Sequence, residues 1–212
     1  PSVQDGNIIF SYTPCKYKKE ETKNESKVNF YKTGVALRKA KMSEIELDDE
    51  ARVEVIKYIK EFMKEYPKKK GIYLYGPFGS GKSYILNAVL NELSKKGATC
   101  VSVYYPLLLK ELKTTFNASD VEGFDLLYQD LLNCDVLLLD DIGAENNTPW
   151  SRDEILGTIL QYRMDNEKIT FFTSNFDLKQ LEESLSITSM GSEKLKARRI
   201  IERIKALAKP IL

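Results

Sequence analysis

Residues 76–83 constrain the fold of this chain more than any other part of its sequence. They read Gly-Pro-Phe-Gly-Ser-Gly-Lys-Ser and lie between a short apolar run and a segment with helical spacing. Strand, loop and helix in this order are the setting of the phosphate-binding motif G-x-x-x-x-G-K-[ST]. Its glycines let successive backbone N–H groups converge on phosphate oxygens, and the start of the helix favours anions. The motif therefore predicts a binding site for a nucleoside triphosphate with Mg²⁺.

The side chains of the motif have separate expected roles. Lys82 supplies a flexible positive charge for the β- and γ-phosphates, and the Ser83 hydroxyl is expected to bind Mg²⁺. A glycine-rich turn with an incidental Lys-Ser pair is the alternative, but it would leave the flanking strand and helix patterns as coincidences. The predicted nucleotide-binding residues are Gly76, Pro77, Phe78, Gly79, Ser80, Gly81, Lys82, Ser83 and Tyr84.

Length and composition are those of an ordinary globular domain. The 212 residues suit one sizeable domain, with 30% charged and 42% apolar residues. No apolar run reaches the roughly 18 residues of a membrane span, and there is no secretory signal. The chain starts at Pro1 rather than at Met, so we expect a fragment that lacks an N-terminal portion.

The numbers of histidines and cysteines limit which metal sites and which general bases the chain can have. Three cysteines (Cys15, Cys100 and Cys134) and no histidine leave no zinc site, and they fit a reducing, cytoplasmic setting. Histidine is the commonest general base, so any base in this chain must be a carboxylate or a bound water.

Short apolar runs alternate with helical patterns along the chain. Strands are predicted at 72–75, 99–104, 135–139 and 169–173, and a fifth begins at 210–212. Helices are predicted at 48–66, 81–95, 106–116, 121–132, 150–165, 177–184 and 192–207. This alternation predicts an α/β fold in which helices cover both faces of a parallel sheet and ligands bind at the carboxyl ends of the strands. Residues 1–42 are predicted to form an extended lead-in or linker with a short strand at 8–10. Residues 43–212 are predicted to form the α/β domain.

A pair of acids follows the third predicted strand. The apolar run 136–139 ends in Asp140 and Asp141, which is the pattern of a Walker B element downstream of a phosphate-binding loop. Asp140 is expected to hold Mg²⁺, directly or through water. Asp141 occupies the place of a water-activating acid, and Glu145 is a second candidate for this base. The alternative is a strand that merely ends in a polar turn.

The fourth predicted strand leads into Asn175. If this strand lies between the strands that end at the loop and at Asp140, Asn175 would lie beside the γ-phosphate and could hold the attacking water. The alternative is a turn or N-cap asparagine before the next helix.

The last predicted helix carries Arg199 and Arg203 one turn apart on one face. An arginine there could stabilise charge at the γ-phosphate of a neighbouring subunit, or it could face solvent or nucleic acid. The formal net charge is only +1, but residues 191–212 carry seven basic and two acidic side chains. Together with Lys110 and Lys113, this segment is a candidate nucleic-acid surface, with a solvated charged face as the alternative.

Taken together, the order of these elements resembles that of the AAA+ ATPases. The residues of the motifs are similar to those of the bacterial replicative-helicase loaders of the DnaI/DnaC group, especially the DnaI branch. The resemblance covers roughly residues 45–212 and is carried by 73–83, 138–145, 161–164, 171–177 and 197–204. Its most specific stretches are Asp-Asp-Ile-Gly-Ala-Glu at 140–145 and Thr-Ser-Asn-Phe-Asp at 173–177.

The resemblance implies a three-layer P-loop fold with a five-stranded parallel sheet flanked by helices. It implies ATP and Mg²⁺ as cofactors, ATP hydrolysis, self-association, and contacts with single-stranded DNA and the replicative DNA helicase during primosome assembly. Asn175 would be the sensor 1 residue. Arg199 would be the arginine finger, with Arg203 as a second basic residue beside it. The adenine would bind near residues 35–45.

Two departures from the family pattern stand out. The N-terminal helicase-binding domain of these loaders is missing, so helicase contact is expected to run through that portion. The family also has a sensor 2 arginine near its C-terminus, and the given sequence stops at Leu212 before any residue that would match it.

Three other functions are compatible with the phosphate-binding loop. A small-molecule kinase would need a mobile, arginine-bearing lid, and no insertion of that kind is present. A transposition-helper ATPase would share the same motifs. A slow ATP- and DNA-binding switch is favoured by Asp141, which stands where many such ATPases have the longer Glu.

Overall fold

The computed structural model describes residues 2–4, 7–9, 28–47, 50–115, 121–188 and 191–212. Near the N-terminus, β1 (Ser2–Gln4) and β2 (Asn7–Ile9) pair antiparallel. β2 overlaps the short strand predicted at 8–10, of which residue 10 lies outside the described residues. Two further short strands, β8 (Ile187–Thr188) and β9 (Gly191–Ser192), also pair antiparallel.

The remaining strands form one parallel sheet. They are β3 (Val28–Tyr31), β4 (Gly71–Tyr75), β5 (Cys100–Tyr104), β6 (Val136–Asp140), β7 (Ile169–Ser174) and β10 (Ala208–Ile211). Their order across the sheet is β10-β4-β7-β6-β5-β3, and each neighbouring pair is parallel. The central strands are continuous apolar runs because both of their faces are buried. β7 lies between β4 and β6, and this is the strand order that the predicted role of Asn175 requires.

Helices cover both faces of the sheet and give the predicted three layers. They are α1 (Val35–Arg38), α2 (Glu50–Glu65), α3 (Lys82–Lys95), α4 (Tyr105–Thr115), α5 (Val121–Asn133), α6 (Gly157–Asp165), α7 (Leu178–Ser186) and α8 (Lys194–Leu207). Apolar side chains of α2 and α3 pack on one face of the sheet, and those of α4 to α8 pack on the other. A 3₁₀ turn at Met42–Glu44 precedes α2, and a π-helical segment at Trp150–Leu156 runs directly into α6.

The edge strand β10 contains a proline without loss of pairing. Pro210 lies opposite Tyr73 of β4, and the missing proline N–H is tolerated because an edge strand pairs on one side only. The strand predicted at 210–212 is therefore confirmed, with a start at Ala208 and an end at Ile211.

The predicted number of five strands is wrong, because the sheet has six strands among the residues that the structure describes. The additional strand is β3, which pairs with β5 at the opposite edge from β10. Its four residues lie in the polar stretch predicted as a lead-in, and Asn29 interrupts them, so they form no apolar run of the kind seen at 72–75. Tyr31 and Asn29 anchor β3 by donating hydrogen bonds of 2.6 and 3.1 Å to Asp130 on α5. The division into 1–42 and 43–212 stays a prediction.

Within the described ranges, no helix is both long and apolar enough to cross a membrane.

Candidate functional site

The phosphate-binding loop joins β4 to α3 in a conformation that its glycines allow. The φ angles of Gly79 and Gly81 are +75° and +85°, which residues with a Cβ rarely adopt. The space around both residues is open, so backbone strain rather than crowding requires glycine there. Gly81 directly precedes α3, whose first turn has N–H groups without helical partners and a positive dipole end. The loop therefore suits an anion.

Lys82 connects this loop to the strand β7. Its Nζ lies 2.7 Å from the carbonyl oxygen of Pro77, 3.0 Å from that of Gly76 and 3.1 Å from Oδ1 of Asn175. Partial burial lowers the pKa of Lys82, and the negative charge of Asp141 opposes that shift. A partly desolvated ammonium in a loop of this shape is well placed to bind phosphate oxygens.

Asp140, Ser83 and Thr173 form an oxygen cluster at the carboxyl ends of β6 and β7. Asp140 is buried, and it accepts hydrogen bonds from Thr173 Oγ1 at 2.7 Å and from the Ser83 side chain. Burial raises the pKa of the Asp140 carboxyl, and the two hydrogen bonds offset part of the rise. Carboxylate and hydroxyl oxygens are the ligands that Mg²⁺ prefers, so this donor set fits the ion next to the phosphate-binding loop.

Asp141 lies at the centre of the site in an uncommon backbone conformation. Its φ angle is +62°, and its N–H donates to Thr173 Oγ1 at 2.8 Å. Its Oδ1 accepts a hydrogen bond of 3.1 Å from Asn175 Nδ2, and its Oδ2 accepts one of 3.4 Å from the Tyr104 hydroxyl. The amide of Asn175 therefore links Lys82 to Asp141 across three neighbouring strands.

The position of Asn175 is fixed by the turn that follows β7. The cap of α7 is Asp177 rather than Asn175, because Asp177 accepts a hydrogen bond from the Gln180 N–H and donates its own N–H to the Gln180 side chain. Ser174 also donates to the carbonyl oxygen of Ile142 at 2.7 Å, which ties this turn to the loop after β6. The amide of Asn175 is thereby left to contact the site.

Glu145 lies in the loop after β6, and its environment differs from that of Asp141. Its Oε2 accepts a hydrogen bond of 2.8 Å from the Gly143 N–H. Burial raises the pKa of the Glu145 carboxyl to about 7, and the negative charge of Asp141 contributes in the same direction. A carboxyl group with this pKa can exchange a proton near neutral pH.

A pocket of about 300 Å³ opens beside the loop. Its lining is mostly apolar and includes Val55, Leu74, Ile85 and Leu212. Arg52 lines this pocket and also a neighbouring hollow that reaches Ile45 and Tyr84. Apolar walls with few polar groups suit the flat face of a nucleobase. Of the stretch 35–45 that the resemblance indicates for adenine, only Glu44 and Ile45 line the hollow.

Arg199 is not part of this cluster. It is exposed on α8, in a shallow groove with Gln161, Met164 and Leu195. In the part of the chain that the structure describes, it forms no hydrogen bond or ion pair. Arg203 differs, because its Nη1 donates to the carbonyl oxygen of Gly157 at 2.9 Å. The structure therefore leaves Arg199, rather than Arg203, available to a second molecule.

Two members of the cluster were not predicted from the sequence. Tyr104 ends β5 and lies opposite Asp140 in the strand register, and Thr173 precedes Asn175 by two residues on β7. Both are polar residues at the carboxyl end of a strand, which is where ligands bind in a parallel sheet. This rule could have predicted Tyr104 and Thr173 as site residues, but only once the order of the strands in the sheet was known.

Comparisons with known proteins agree with this geometry. The family model described as the bacterial DnaA ATPase domain matches residues 51–191. The replicative helicase loader DnaI of Bacillus subtilis is 36% identical over 220 residues, which cover 99% of this chain and 68% of that protein. A crystal structure of DnaI superposes with a TM-score of 0.78 at 41% identity, covering 89% of this chain and 98% of the other. DnaA bound to AMPPCP and single-stranded DNA has the same fold, with a TM-score of 0.63 at 19% identity, covering 82% of this chain and 50% of that one.

The fold and the matched family model identify an ATPase domain of the AAA+ class. More narrowly, the chain belongs to the family of replicative helicase loaders that includes DnaI.

Proposed function

We propose that this chain is the ATP-binding and ATP-hydrolysing module of a loader that helps to place the replicative DNA helicase on DNA during primosome assembly. The observation that carries the proposal is the contact from Lys82 through Asn175 to Asp141, at 3.1 Å for each step. It joins a phosphate-binding loop to a strand-end acid in one site. The similarity to DnaI, a replicative helicase loader, supports the loader role.

In this proposal, each residue of the site has a separate role in ATP hydrolysis. Lys82 and the N–H groups of the loop bind the phosphates of ATP. Ser83 and Asp140 would hold Mg²⁺, which would supply positive charge to the phosphates. Asn175 orients the attacking water by hydrogen bonds. Asp141 accepts its proton, or Glu145 does so.

The arginine that completes the site comes from a neighbouring copy of the chain. Arg199 is exposed, has no partner among the described residues, and lines a groove that contains none of the loop residues. An arginine supplied in trans to the γ-phosphate speeds hydrolysis by roughly a thousandfold or more. We therefore expect slow turnover in the isolated chain and faster turnover when copies assemble on DNA or on the helicase.

The ATPase rate per molecule, measured against protein concentration with and without single-stranded DNA, tests this proposal. The rate should climb with concentration. Lys82→Ala should abolish nucleotide binding, because the loop loses its cation. Arg199→Ala should keep binding and reduce hydrolysis by about a thousandfold. Arg198→Ala, at an exposed position on the same helix, is the matched control, and normal hydrolysis by Arg199→Ala would rule out Arg199 as the finger.

A slow nucleotide-binding switch is the second candidate. Aspartate at position 141 reaches less far than glutamate, and both of its oxygens already accept hydrogen bonds, from Asn175 and Tyr104. A rate that stays flat and near zero at every concentration, with tight ATP binding, would favour the switch over the hydrolase.

The partners in this proposal are the replicative helicase, which the similarity to the loader DnaI supports, and single-stranded DNA. DnaA, which shares the fold, has been solved with single-stranded DNA bound, and this supports the second partner. Lys110, Lys113 and the basic segment 191–212 remain our candidates for DNA contact. The cytoplasmic location stays a prediction.

A further inference from the structure

Four charged side chains outside the nucleotide site form a cluster at the start of α8. Nη2 of Arg152 lies 2.7 Å from Glu193, and its Nε lies 2.7 Å from Asp153. Lys196 completes the cluster at 2.7 Å from Glu193 and 3.2 Å from Asp153. Two positive and two negative charges thus alternate between the π-helical segment and the first turn of α8.

Arg152 is the buried member of this cluster. It is 1% exposed, and its remaining donor, Nη1, reaches the carbonyl oxygen of Leu185 at the end of α7. A buried guanidinium is costly unless every donor is paired, and the planar fork of arginine fixes the direction of each partner. The cluster therefore sets the position of Glu193 relative to two other helical segments.

A second contact holds the opposite end of the same helix. Arg203 of α8 donates to the carbonyl oxygen of Gly157, where the π-helical segment meets α6. A Cβ on Gly157 would come within 3.1 Å of the Arg203 guanidinium, so the two helices approach closely there. α8 is thus tied at both ends to one continuous helix.

Arg199 lies between these two contacts, about one helical turn from Lys196 and one from Arg203. It forms no hydrogen bond within the described residues, so the direction of its side chain depends on the placement of α8. We propose that Arg152 is a positioning residue for Arg199, which acts through Glu193 and Lys196 to fix the helix that presents the finger. This inference rests on the proposed role of Arg199 in trans.

The location of Arg152 adds a functional consequence. The π-helical segment that carries Arg152 follows the loop of Asp141 and Glu145. The same segment therefore lies between the acidic residues of a molecule's own nucleotide site and the helix whose Arg199 acts on the neighbouring molecule. A displacement of about 1 Å in a catalytic group can cost on the order of a hundredfold in rate, so loosening α8 should reduce trans activity in particular.

Mixed assemblies separate positioning from general stability. A Lys82→Ala chain can only donate the finger, and an Arg199→Ala chain can only offer the nucleotide site, so their mixture should recover hydrolysis. Glu193→Ala is then added to one chain or to the other. In the finger donor it should lower the recovered rate by about tenfold. In the site-offering chain it should leave the rate within about twofold.

Two further variants control this experiment. Glu202→Ala removes an exposed acid of α8 whose ion pair is with Lys205 on the same helix, and it should have no effect in either chain. Arg152→Lys keeps the charge but loses the fork, and it should repeat the asymmetry of Glu193→Ala. Equal losses in both chains, or no loss in the donor, would overturn the positioning role while leaving the trans finger intact. A mixture that recovers no activity would overturn the trans role itself, and the positioning role with it.

Discussion

Glu145 and Asp141 are both candidates for the catalytic base, and their surroundings distinguish them. Asp141 is held by Asn175 and Tyr104 within the cluster that contains Lys82. Glu145 lies apart, with its carboxyl raised to a pKa of about 7 by burial. If Glu145 is the base, the hydrolysis rate should rise through pH 7 with an apparent pKa near that value. This rise should disappear in Glu145→Gln, and a profile that is unchanged in this variant would leave Asp141 as the base.

Burial of Glu145 also predicts how stability depends on pH. The folded-state pKa of about 7 lies above the ordinary 4.5, so the folded protein binds this proton more tightly than the unfolded chain does. The contribution of Glu145 to the free energy of unfolding therefore falls as pH rises from about 4.5 through 7. Glu145→Gln cannot ionise, and the amide can still accept the Gly143 N–H.

The difference in free energy of unfolding between Glu145→Gln and the wild type should therefore depend on pH. From about pH 5 to pH 8, the free energy of unfolding of Glu145→Gln should rise relative to wild type by about 2 kcal/mol, after allowance for partial solvent exposure. Urea unfolding at both pH values measures it. Glu154→Gln, at an exposed position, is the control and should follow the wild type at both. A constant difference for Glu145→Gln would show that Glu145 is not desolvated.

At the scale of elements, Arg163 shows how a buried cation can hold a helix in place. It is fully buried on α6 and contacts main-chain carbonyl oxygens where α5 ends and β7 begins. Its Nη1 donates to Leu131, Leu132 and Cys134, and its Nη2 donates to Ile169 at 2.6 Å. Burial lowers the pKa of Arg163, so these hydrogen bonds have to offset a real desolvation cost.

Replacing this arginine by lysine should therefore be costly. Arg163→Lys keeps the charge but leaves several buried carbonyl oxygens without donors, and the free energy of unfolding should fall by about 3 kcal/mol. The same exchange at Arg198, which is exposed on α8, should change it by less than about 0.5 kcal/mol. Similar urea midpoints for the two variants would contradict this account.

The elements that the sequence predicted and those that it missed differ in length and in range of contact. Five strands and seven helices of the domain were predicted from apolar runs and helical spacing, and these elements were found with ends shifted by a few residues. β3 was missed because its residues lie in a polar stretch and Asn29 interrupts them, so they form no apolar run. The Arg152 cluster was missed because its members lie up to 44 positions apart, from 152 to 196, and no local pattern links them.

At the scale of the whole molecule, the uneven charge leads to a prediction about DNA. Lys110 and Lys113 project from α4, which packs on one face of the sheet, whereas Lys60 projects from α2 on the other face. Lys113 also lies 6.0 Å from the centre of the Trp150 ring, so a charge and an aromatic surface occur together there. This pairing is typical of surfaces that bind single strands, where bases stack on aromatic rings and lysines bind phosphates.

Salt dependence can show whether this face binds the strand. Binding of a labelled oligothymidine should weaken between about 50 and 200 mM salt, because bound lysines release counterions from the phosphates. Replacing Lys110 and Lys113 by alanine should reduce the slope of log K against log salt by about 1.4, since each phosphate contact on a single strand contributes about 0.7. Lys60→Ala should leave the slope unchanged. If it reduces the slope as much as each α4 substitution does, the attraction is a property of the overall charge and α4 is not the binding face.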